Sequence, residues 1–395
     1  MELNQILGLA LKSNTSDIHL KAGLPPVFRV DGSLRPLPKA PRLTADDLRI
    51  MCEGIMNEKQ RVRFEENNEV DLAYGVPGLG RFRVNVFMQR NSVSAVFRVI
   101  PYKVATLDEL LMPKVLKKIA EEQRGLVLVT GATGSGKSTT LAALIDHINS
   151  NRTAHIVTVE DPIEYLHRDR KCIINQREVG FDTTGFAPAL KSALRQDPDV
   201  ILVGEMRDLE TAETALAASE TGHLVLSTLH TIDATETIAR IISMFPPHQQ
   251  RHVRMQLSNV LRAVVSQRLI PRAEGTGRVA AVEVMLTTGR VRELIDDREK
   301  TSLLKDTIAQ GYTTYGMQTF DQALMDLVKR KIITYEEALR QSSNPDDFKL
   351  KFSGIDSTSD SSWSDFERGK EQEDSKAAEA AAEDQKNDDS PFQRF

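Results

Sequence analysis

Residues 131–138, GATGSGKS, combine glycines, a lysine and a hydroxyl in a spacing that suits phosphate chemistry. The segment fits the pattern GxxxxGK followed by Ser or Thr, and it lies between the apolar run LVLVT and the helical pattern TTLAALIDHI. In such a loop, backbone N–H groups and the start of the following helix contact phosphate oxygens. A glycine-rich turn arising by chance is the alternative, and the strand-to-helix context argues against it. We therefore expect a bound nucleoside triphosphate.

Different side chains of this loop are expected to bind different parts of the nucleotide and its metal ion. Lys137 is expected to reach the β- and γ-phosphates of ATP, and the Ser138 hydroxyl is expected to bind Mg²⁺. The glycines let the backbone curl closely around the anion. The residues predicted to bind the nucleotide are Gly131, Ala132, Thr133, Gly134, Ser135, Gly136, Lys137, Ser138 and Thr139.

Hydrolysis of a bound nucleotide also needs a group that orients water. The run VILVGE ends in Glu205, at the carboxyl end of an apolar strand, where the sites of α/β proteins gather. We predict that Glu205 is the catalytic base; the alternative is a solvated glutamate at a strand end. Glu164 is the second candidate for the base.

Three carboxylates follow another apolar strand, in the run VEDPIEY. Glu160, Asp161 and Glu164 would repel one another unless cations lie nearby, so the run implies Mg²⁺ or arginine. We predict that Glu160 and Asp161 bind the metal together with Ser138. The alternative is a polar helix start before Pro162.

Two histidines flank the apolar strand HLVLSTL. His230 follows the strand, and it could sense the γ-phosphate or form a hydrogen bond inside the core. The sequence leaves both possibilities open, and we include His230 among the catalytic candidates. His223 precedes the strand and is expected to be structural.

Arginines recur on one face of the alternating pattern RFRVNVF, residues 81–87. If Arg90-Asn91 is a two-residue turn, Arg83 lies opposite Arg98, and like charges directly opposite each other are unfavourable. An anion between them would remove that cost. We therefore expect Arg81, Arg83 and Arg98 to reach nucleotide at a domain or subunit boundary, as arginine fingers do. The alternative is a solvated strand face.

The elements that must position these residues change character along the chain. The first 100 residues contain two strand pairs, one around Asp31-Gly32 and one around Arg90-Asn91, which indicates a small α+β domain. Later apolar runs alternate with helical stretches, which predicts a doubly wound α/β domain. A capping box at Thr334 opens one of the last helices. The predicted segments are 1–100 (α+β), 101–113 (linker), 114–288 (α/β), 289–352 (helical) and 353–395 (a disordered acidic tail).

Composition narrows the classes of function. The chain has 395 residues and a formal net charge of −5, so no global basic field argues for nucleic acid. Cys52 and Cys172 are far apart, which fits a reducing compartment and excludes a tetracysteine zinc module. The chain begins with a short amphipathic helix rather than a signal peptide, and no apolar run approaches the roughly 20 residues of a membrane helix. We expect a cytoplasmic protein.

Four motifs carry a resemblance to a known family. GATGSGKST, VTVEDPIEY, DPDVILVGEMRD and ETGHLVLSTLHT resemble, in order and spacing, the Walker A, Asp box, Walker B and His box of the type II/IV secretion ATPases. SDIHL, RFRVNVF and GMQTFDQAL further resemble the type IV pilus retraction ATPases, the PilT/PilU group. The resemblance covers about residues 1–350. It implies a RecA-like P-loop ATPase domain, a smaller PAS-like amino-terminal domain and a helical carboxy-terminal part.

The resemblance also implies a function and partners. It implies a homo-hexameric ring that couples ATP hydrolysis to pilus retraction, pilin depolymerisation and twitching motility. It implies peripheral association with the cytoplasmic face of the inner membrane, through a pilus platform protein, and a paralogous retraction ATPase as a further partner. No specific nucleic acid is expected.

Departures from the family pattern keep alternatives open. Ala132 stands where Walker A usually has Pro, Glu213 stands where a neutral residue is more usual, and the motif tied to retraction survives only as GRVRELIDD, residues 289–297. The PilT and PilU roles are therefore both open. A pilus assembly or type II secretion ATPase would usually carry a tetracysteine module, and a DNA-translocating motor would need a basic channel. Glu205 argues against a scaffold that binds ATP without turnover.

Overall fold

The structure is a computed structural model that describes residues 1–353 except 14, 31 and 102. It divides into two compact units, of which the first contains residues 1–104, 161–168 and 177–184 and the second contains the other described residues. Asp31 of the predicted hairpin turn and the predicted acidic tail beyond Ser353 lie outside the described residues. The division of the chain into five segments stays a prediction.

A six-stranded antiparallel sheet dominates the first unit, with the strand order β3-β2-β1-β6-β5-β4. Its strands are β1 (Asp17–Leu20), β2 (Val27–Val30), β3 (Ser33–Pro36), β4 (Glu69–Val76), β5 (Gly80–Gln89) and β6 (Ser92–Ile100). Its helices are α1 (Leu3–Lys12), α2 (Ala45–Ile55) and α3 (Glu58–Asn67). The two predicted strand pairs and the amphipathic first helix are confirmed.

The turn between β5 and β6 sets the register of the arginine-bearing strands. Arg90 and Asn91 have φ angles of 48° and 60°, the left-handed conformation of a two-residue turn that matches the twist of a hairpin. Arg83 consequently lies directly opposite Arg98, as the sequence predicts. The inward side chains of β5 are fully buried in the apolar core of the unit; they are Phe82, Val84 and Val86.

A seven-stranded sheet forms the second unit, in the order β13-β12-β7-β11-β10-β8-β9. Strands β12, β7, β11, β10 and β8 run parallel, and β13 pairs antiparallel with β12. The strands are β7 (Gly125–Thr130), β8 (His155–Glu160), β9 (Ile173–Glu178, in this unit through residue 176), β10 (Val200–Val203), β11 (Leu224–Leu229), β12 (Leu261–Pro271) and β13 (Arg278–Leu286). The predicted α/β architecture is confirmed.

Both faces of this sheet are covered. On β7, Leu126 and Leu128 join one apolar cluster, whereas Val127 and Val129 join the other. Parallel strands covered on both sides need apolar residues at every position, and this explains why their sequences read as continuous apolar runs.

Polar residues interrupt the pattern of β12, and neither β12 nor β13 is among the strands that the sequence predicts. Thr130 Oγ1 donates to Ser266 Oγ (2.9 Å), and Gln267 Nε2 donates to Thr140 Oγ1 (2.8 Å). Since only the fold supplies these partners, the sequence pattern cannot show that the residues are buried. On β13, the backbone groups of Val284 and Gln318 exchange hydrogen bonds of 2.8 and 3.1 Å.

Helices surround the second sheet and continue to the last described residues. Thr319 and Thr334 cap two of the last helices through their hydroxyl groups, and the predicted helical region is confirmed. No helix in the described part of the chain is both long and apolar enough to span a membrane. The helices are α4 (Val115–Ala120), α5 (Lys137–Asn151), α6 (Phe186–Ala193), α7 (Leu209–Glu220), α8 (Ala234–Ser243), α9 (Gln250–Val260), α10 (Gly289–Asp296), a 3-10 helix (Arg298–Leu303), α11 (Leu304–Gln310), α12 (Tyr312–Tyr315), α13 (Phe320–Lys329), α14 (Tyr335–Gln341) and α15 (Pro345–Phe352).

Candidate active site

The glycine-rich loop connects β7 to α5, as the sequence predicts. Gly131 begins the loop with φ of 142°, and a Cβ there would lie 2.5 Å from the Gln267 carbonyl oxygen and 2.5 Å from Ser135 Oγ. Only glycine therefore permits this close approach of the loop to β12. Ser135 is buried, and its Oγ has no hydrogen-bond partner among the described residues. A buried hydroxyl of this kind needs a partner, and a phosphate oxygen in the loop would provide one.

Lys137 turns its side chain back over this loop. Its Nζ donates to the carbonyl oxygens of Gly131 (2.8 Å) and Ala132 (3.1 Å), and the residue is 8% exposed. Burial lowers the pKa of Lys137, and the charge of Glu205 opposes that shift. The ammonium group thus lies inside the loop, where phosphate oxygens could replace the two carbonyl groups.

The other predicted nucleotide-binding residues surround this lysine. Ala132, Thr133, Gly134 and Ser138 are exposed, and Gly136 and Thr139 are half-buried. Gly136 has the left-handed conformation at the position that precedes α5. The structure therefore gathers all nine residues at the start of α5, where backbone N–H groups favour an anion.

Glu205 lies two residues after β10 ends, and its side chain is 18% exposed. Arg207 Nε donates to its Oε2 (2.8 Å), and His230 Nε2 lies 3.4 Å from its Oε1. The alternative of a solvated glutamate at a strand end is wrong, because the carboxylate is held by two side chains. Arg207 is a site residue that sequence reasoning missed, although its position two residues after Glu205 was a usable signal.

His230 connects Glu205 to the loop. Its side chain is 46% exposed, and its Nδ1 lies 3.5 Å from Thr133 Oγ1. The alternative of a hydrogen bond inside the core is therefore wrong for His230. His223 has a local role, since its Nδ1–H donates to the Ala218 carbonyl oxygen at 3.0 Å.

The carboxylates at the end of β8 and just after it are arranged differently from the sequence expectation. Glu160 Oε1 accepts from Thr158 Oγ1 (2.7 Å) and Gln176 Nε2 (3.1 Å), so neutral donors already stabilise it. No helix begins at Pro162, and that alternative is wrong. Asp161 and Glu164 are exposed residues of the first unit. Their roles as metal ligand and base stay predictions.

The donors of the second unit suit Mg²⁺ chemically, although they form no complete site. No group of three or more His, Cys, Asp or Glu side chains in the described ranges is placed to hold a metal ion. Ser138 offers an exposed hydroxyl, and Glu160 offers a carboxylate. Mg²⁺ commonly takes only one or two protein ligands and completes its shell with phosphate and water. The residues present therefore fit a metal that arrives with the nucleotide.

Two of the three predicted arginines of the first unit, Arg81 and Arg98, already have carboxylate partners. Arg98 Nε donates to Asp17 Oδ1 at 2.8 Å, and Arg81 lies 3.0 Å from Glu178 Oε2. Asp17 already supplies a negative charge beside Arg98, so the like-charge argument for an anion between Arg83 and Arg98 is weaker, and the role of these arginines toward nucleotide stays a prediction. Arg83 itself is exposed.

The two carboxylates respond differently to these arginines. Burial opposes ionisation of Asp17, but hydrogen bonds from Arg98 and Ser16 outweigh it and lower the pKa of Asp17. Burial dominates at Glu178 and raises its pKa, although Arg81 opposes the shift.

A cavity of about 340 Å³ adjoins the glycine-rich loop within the second unit. Strands β12 and β13 contribute two arginines to it, and sequence reasoning missed both because it missed these strands. Besides the loop residues 131–135, the cavity is lined by Ile232, Gln267, Arg268, Leu269, Arg278 and Gln341. A pocket with two cationic side chains beside a phosphate loop suits the remainder of a nucleotide.

Comparison with known proteins identifies the class. A model of the family described as "Type II/IV secretion system protein" matches residues 1–340, and the chain belongs to this family. The type IV pilus retractation ATPase PilT of Pseudomonas aeruginosa is 49% identical over 348 residues, which are 88% of this chain and all of that protein. The type IV pilus ATPase PilU of the same organism is 46% identical over 350 residues, covering 89% of this chain and 91% of PilU.

A solved structure agrees with these sequence matches. A crystal structure of the pilus retraction motor PilT with bound ADP matches with a TM-score of 0.78 at 48% identity. The match covers 88% of this chain and 98% of that one. The resemblance to the PilT/PilU group that the motifs indicate is confirmed.

Proposed function

We propose that this protein is an ATPase that hydrolyses ATP to ADP and phosphate and uses the energy to retract type IV pili. The observation that carries the proposal is the 49% identity to PilT along the whole of that protein. The site supports it, because a buried lysine, an orphaned serine hydroxyl and a glutamate bracketed by Arg207 and His230 suit nucleotide hydrolysis. The likeness to an ADP-bound motor supports nucleotide binding.

The loop residues hold the nucleotide. Lys137 exchanges its two carbonyl partners for β- and γ-phosphate oxygens, and the Ser135 hydroxyl donates to a phosphate oxygen that supplies the partner it lacks. Ser138, Glu160 and Asp161 would hold Mg²⁺, which would neutralise charge on the phosphate oxygens. Arg268 and Arg278 line the cavity that takes the rest of the nucleotide.

Glu205 acts on water. Its carboxylate accepts a proton from the attacking water, the water oxygen forms a bond to the γ-phosphorus, and the bond from that phosphorus to the ADP oxygen breaks. Arg207 and His230 fix the orientation of the carboxylate, one at each oxygen. His230 also contacts Thr133 of the loop, so it can respond to the γ-phosphate. Glu164 is the second candidate for the base.

Assembly completes the proposal. The protein works as a homo-hexamer at the cytoplasmic face of the inner membrane, bound there through a pilus platform protein, and a PilU-like paralogue is a further partner. Arg83, with Arg81 and Arg98 beside it on the sheet, reaches nucleotide at a domain or subunit boundary. Arg83 is the best placed of the three, because it is exposed whereas the other two already pair with carboxylates.

The Glu205→Gln variant tests the chemistry. It should bind ATP with unchanged affinity and lose hydrolysis by roughly 100-fold or more, because an amide cannot accept the proton. Phosphate release and nucleotide binding are measured on the same preparations. Retained hydrolysis would move the role of base to Glu164. Retraction is tested separately in a deletion strain, which should be hyperpiliated and lose twitching motility. Expression of the Glu205→Gln variant in that strain should fail to restore twitching.

A further inference from the structure

Glu283 is a buried carboxylate that the proposed reaction does not use. It lies on β13, it is 5% exposed, and its Oε1 accepts the backbone N–H of Ala234 at 2.9 Å. Ala234 is the first residue of α8, and Asp233 caps that helix by accepting the N–H of Glu236 at 2.7 Å. Glu283 therefore holds the start of α8 from the neighbouring sheet.

Charged groups face Glu283 from three elements across a cavity of about 310 Å³. They are Asp233 at the start of α8, Arg268 on β12 and Lys305 on α11. Arg268 is fixed in place, since its NH1 donates to the Gln341 carbonyl oxygen (2.8 Å) and its guanidinium lies 4.1 Å from the Phe320 ring centroid. Burial raises the pKa of Glu283 to about 7; Asp233 adds to the shift, and Arg268 and Lys305 oppose it.

A short turn connects the start of α8 to the candidate active site. Residues 230–233 form this turn, and its hydrogen bonds tie it to the first turn of the helix. The Thr231 and Thr237 hydroxyls lie 2.7 Å apart, and the backbone N–H of Ile232 donates to Glu236 Oε2 at 2.8 Å. His230 stands at the other end of the turn, against Glu205 and Thr133. A shift at the start of α8 would therefore move His230.

We propose that Glu283 is a positioning residue, whose ionised carboxylate anchors the start of α8 and thereby holds His230 against Glu205. The inference rests on the proposed ATPase function for its effect on activity. An ionised carboxylate is the stronger acceptor for a backbone N–H, and its charge suits the positive end of a helix. Protonation weakens both interactions. The turnover number should therefore fall as the pH is lowered through about 7.

The kinetic test compares four proteins between pH 5.5 and 8.5. Glu283→Gln keeps the acceptor oxygen but cannot titrate, Glu283→Ala removes the anchor, and Glu274→Gln is the matched control on the exposed turn before β13. We expect a step in the kcat of the natural protein near pH 7 and no step in Glu283→Gln. Glu283→Ala should lose roughly tenfold in kcat at pH 8, with KM nearly unchanged, because a displaced His230 disturbs chemistry rather than binding. The control should behave as the natural protein.

A second measurement does not depend on turnover. Hydrogen exchange of the amides in residues 231–237 reports whether the turn and the start of α8 stay closed. In Glu283→Ala, the amide hydrogens of this segment should exchange faster, while those of α5 should exchange at an unchanged rate. In Glu283→Gln, the amides of the segment should remain protected. If Glu283→Gln keeps the pH step and Glu283→Ala keeps its protection, the inference is overturned while the ATPase assignment stands. An inactive natural protein would instead overturn the proposed function, and exchange would still decide the role of Glu283.

Discussion

The two units hold buried charge in different ways. In the first unit, Asp17 and Glu178 each have an arginine within 3.0 Å. In the second unit, Lys137 is held by carbonyl oxygens and Glu283 by a backbone N–H. An ion pair inside one unit is a stable arrangement, whereas a lysine on carbonyl groups can exchange them for a stronger anionic partner. The difference indicates that the ion pairs of the first unit serve the fold, whereas Lys137 is placed to bind a ligand and Glu283 to anchor the start of α8.

The largest expected effect is at Lys137. Lys137→Ala should reduce ATP hydrolysis by roughly 100-fold or more, since it removes the cation that meets the β- and γ-phosphates. Thermal unfolding should change little, because the lysine's own partners are loop carbonyls that water can also satisfy. Lys171→Ala, an exposed lysine of the same unit, is the control and should keep full activity. If Lys137→Ala turned over ATP as fast as the natural protein, Lys137 would not serve a ligand, and the proposed difference between the two units would be contradicted.

Arg83 should be an exception in the first unit, because we expect it to act on nucleotide rather than to stabilise the fold. Arg83→Ala should reduce hydrolysis at least tenfold, as the loss of an arginine finger does, without affecting stability. If the arginine acts on a neighbouring subunit, mixing Arg83→Ala with Glu205→Gln should restore part of the activity. The reason is that the second variant supplies an intact arginine to the intact glutamate of the first. No recovery at any ratio would assign the arginine to its own subunit or to a solvated face.

Arg81 should show the opposite behaviour, with a loss of stability. Arg81→Ala leaves Glu178 buried without its partner, which should cost about 2 kcal/mol in the free energy of unfolding. Adding Glu178→Gln should recover part of that loss, because a neutral amide tolerates burial better. Denaturant unfolding of the two single variants and the double variant gives the coupling. Additive effects would show that the ion pair contributes nothing.

Asp17 and Glu283 should make opposite contributions to the pH dependence of stability. The pKa of Asp17 is lowered from its ordinary 3.8, so its stabilisation is present above that value and disappears as the pH falls through the folded-state pKa. Asp17→Asn should therefore be less stable than the natural protein at pH 7, by about 1 kcal/mol. The two proteins should converge below pH 3.8. Melting temperatures across pH 3–7 provide the measurement, and a constant difference would contradict the prediction.

Unlike Asp17→Asn, the Glu283→Gln variant should be more stable than the natural protein at high pH. The pKa of Glu283 is raised from 4.5 to about 7, so ionising it costs stability that is absent below 4.5 and complete above about 7. The glutamine variant should consequently be more stable than the natural protein at pH 8, by up to about 3 kcal/mol. It should match the natural protein at pH 4.5 or below. Equal melting temperatures at pH 8 would show that the surrounding cations already stabilise the carboxylate.

Much of the fold was predictable, because its signals are local. The alternation of β5, the two-residue turn at Arg90 and the loop between β7 and α5 each follow from a few neighbouring residues. The same holds for the cap at Thr334. Strands β12 and β13 were not predictable in this way, because their buried Ser266 and Gln267 depend on hydroxyl partners far away in the sequence.

The candidate site shows the same limit. Lys137 and Glu205 follow from motifs, and the structure brings Glu205 and the loop residue Thr133 near His230. The position of Arg207 two residues after Glu205 was a usable signal, whereas the cavity arginines Arg268 and Arg278 require knowledge of β12 and β13, which no pattern supplies. The ion pair of Arg98 was not predictable either, because its counter-ion, Asp17, lies 81 residues away along the chain.

The backbone pairing of Val284 with Gln318 affects whether other polypeptides can add to the edge of the second sheet. β13 is the last strand of its sheet, and a bare outer strand would offer its unpaired amide and carbonyl groups to another polypeptide. The backbone of Gln318 pairs with those groups at Val284, two residues before the strand ends at Leu286. The short segment between α12 and α13 that contains Gln318 thereby blocks the addition of a foreign strand at this part of the β13 edge, next to Glu283.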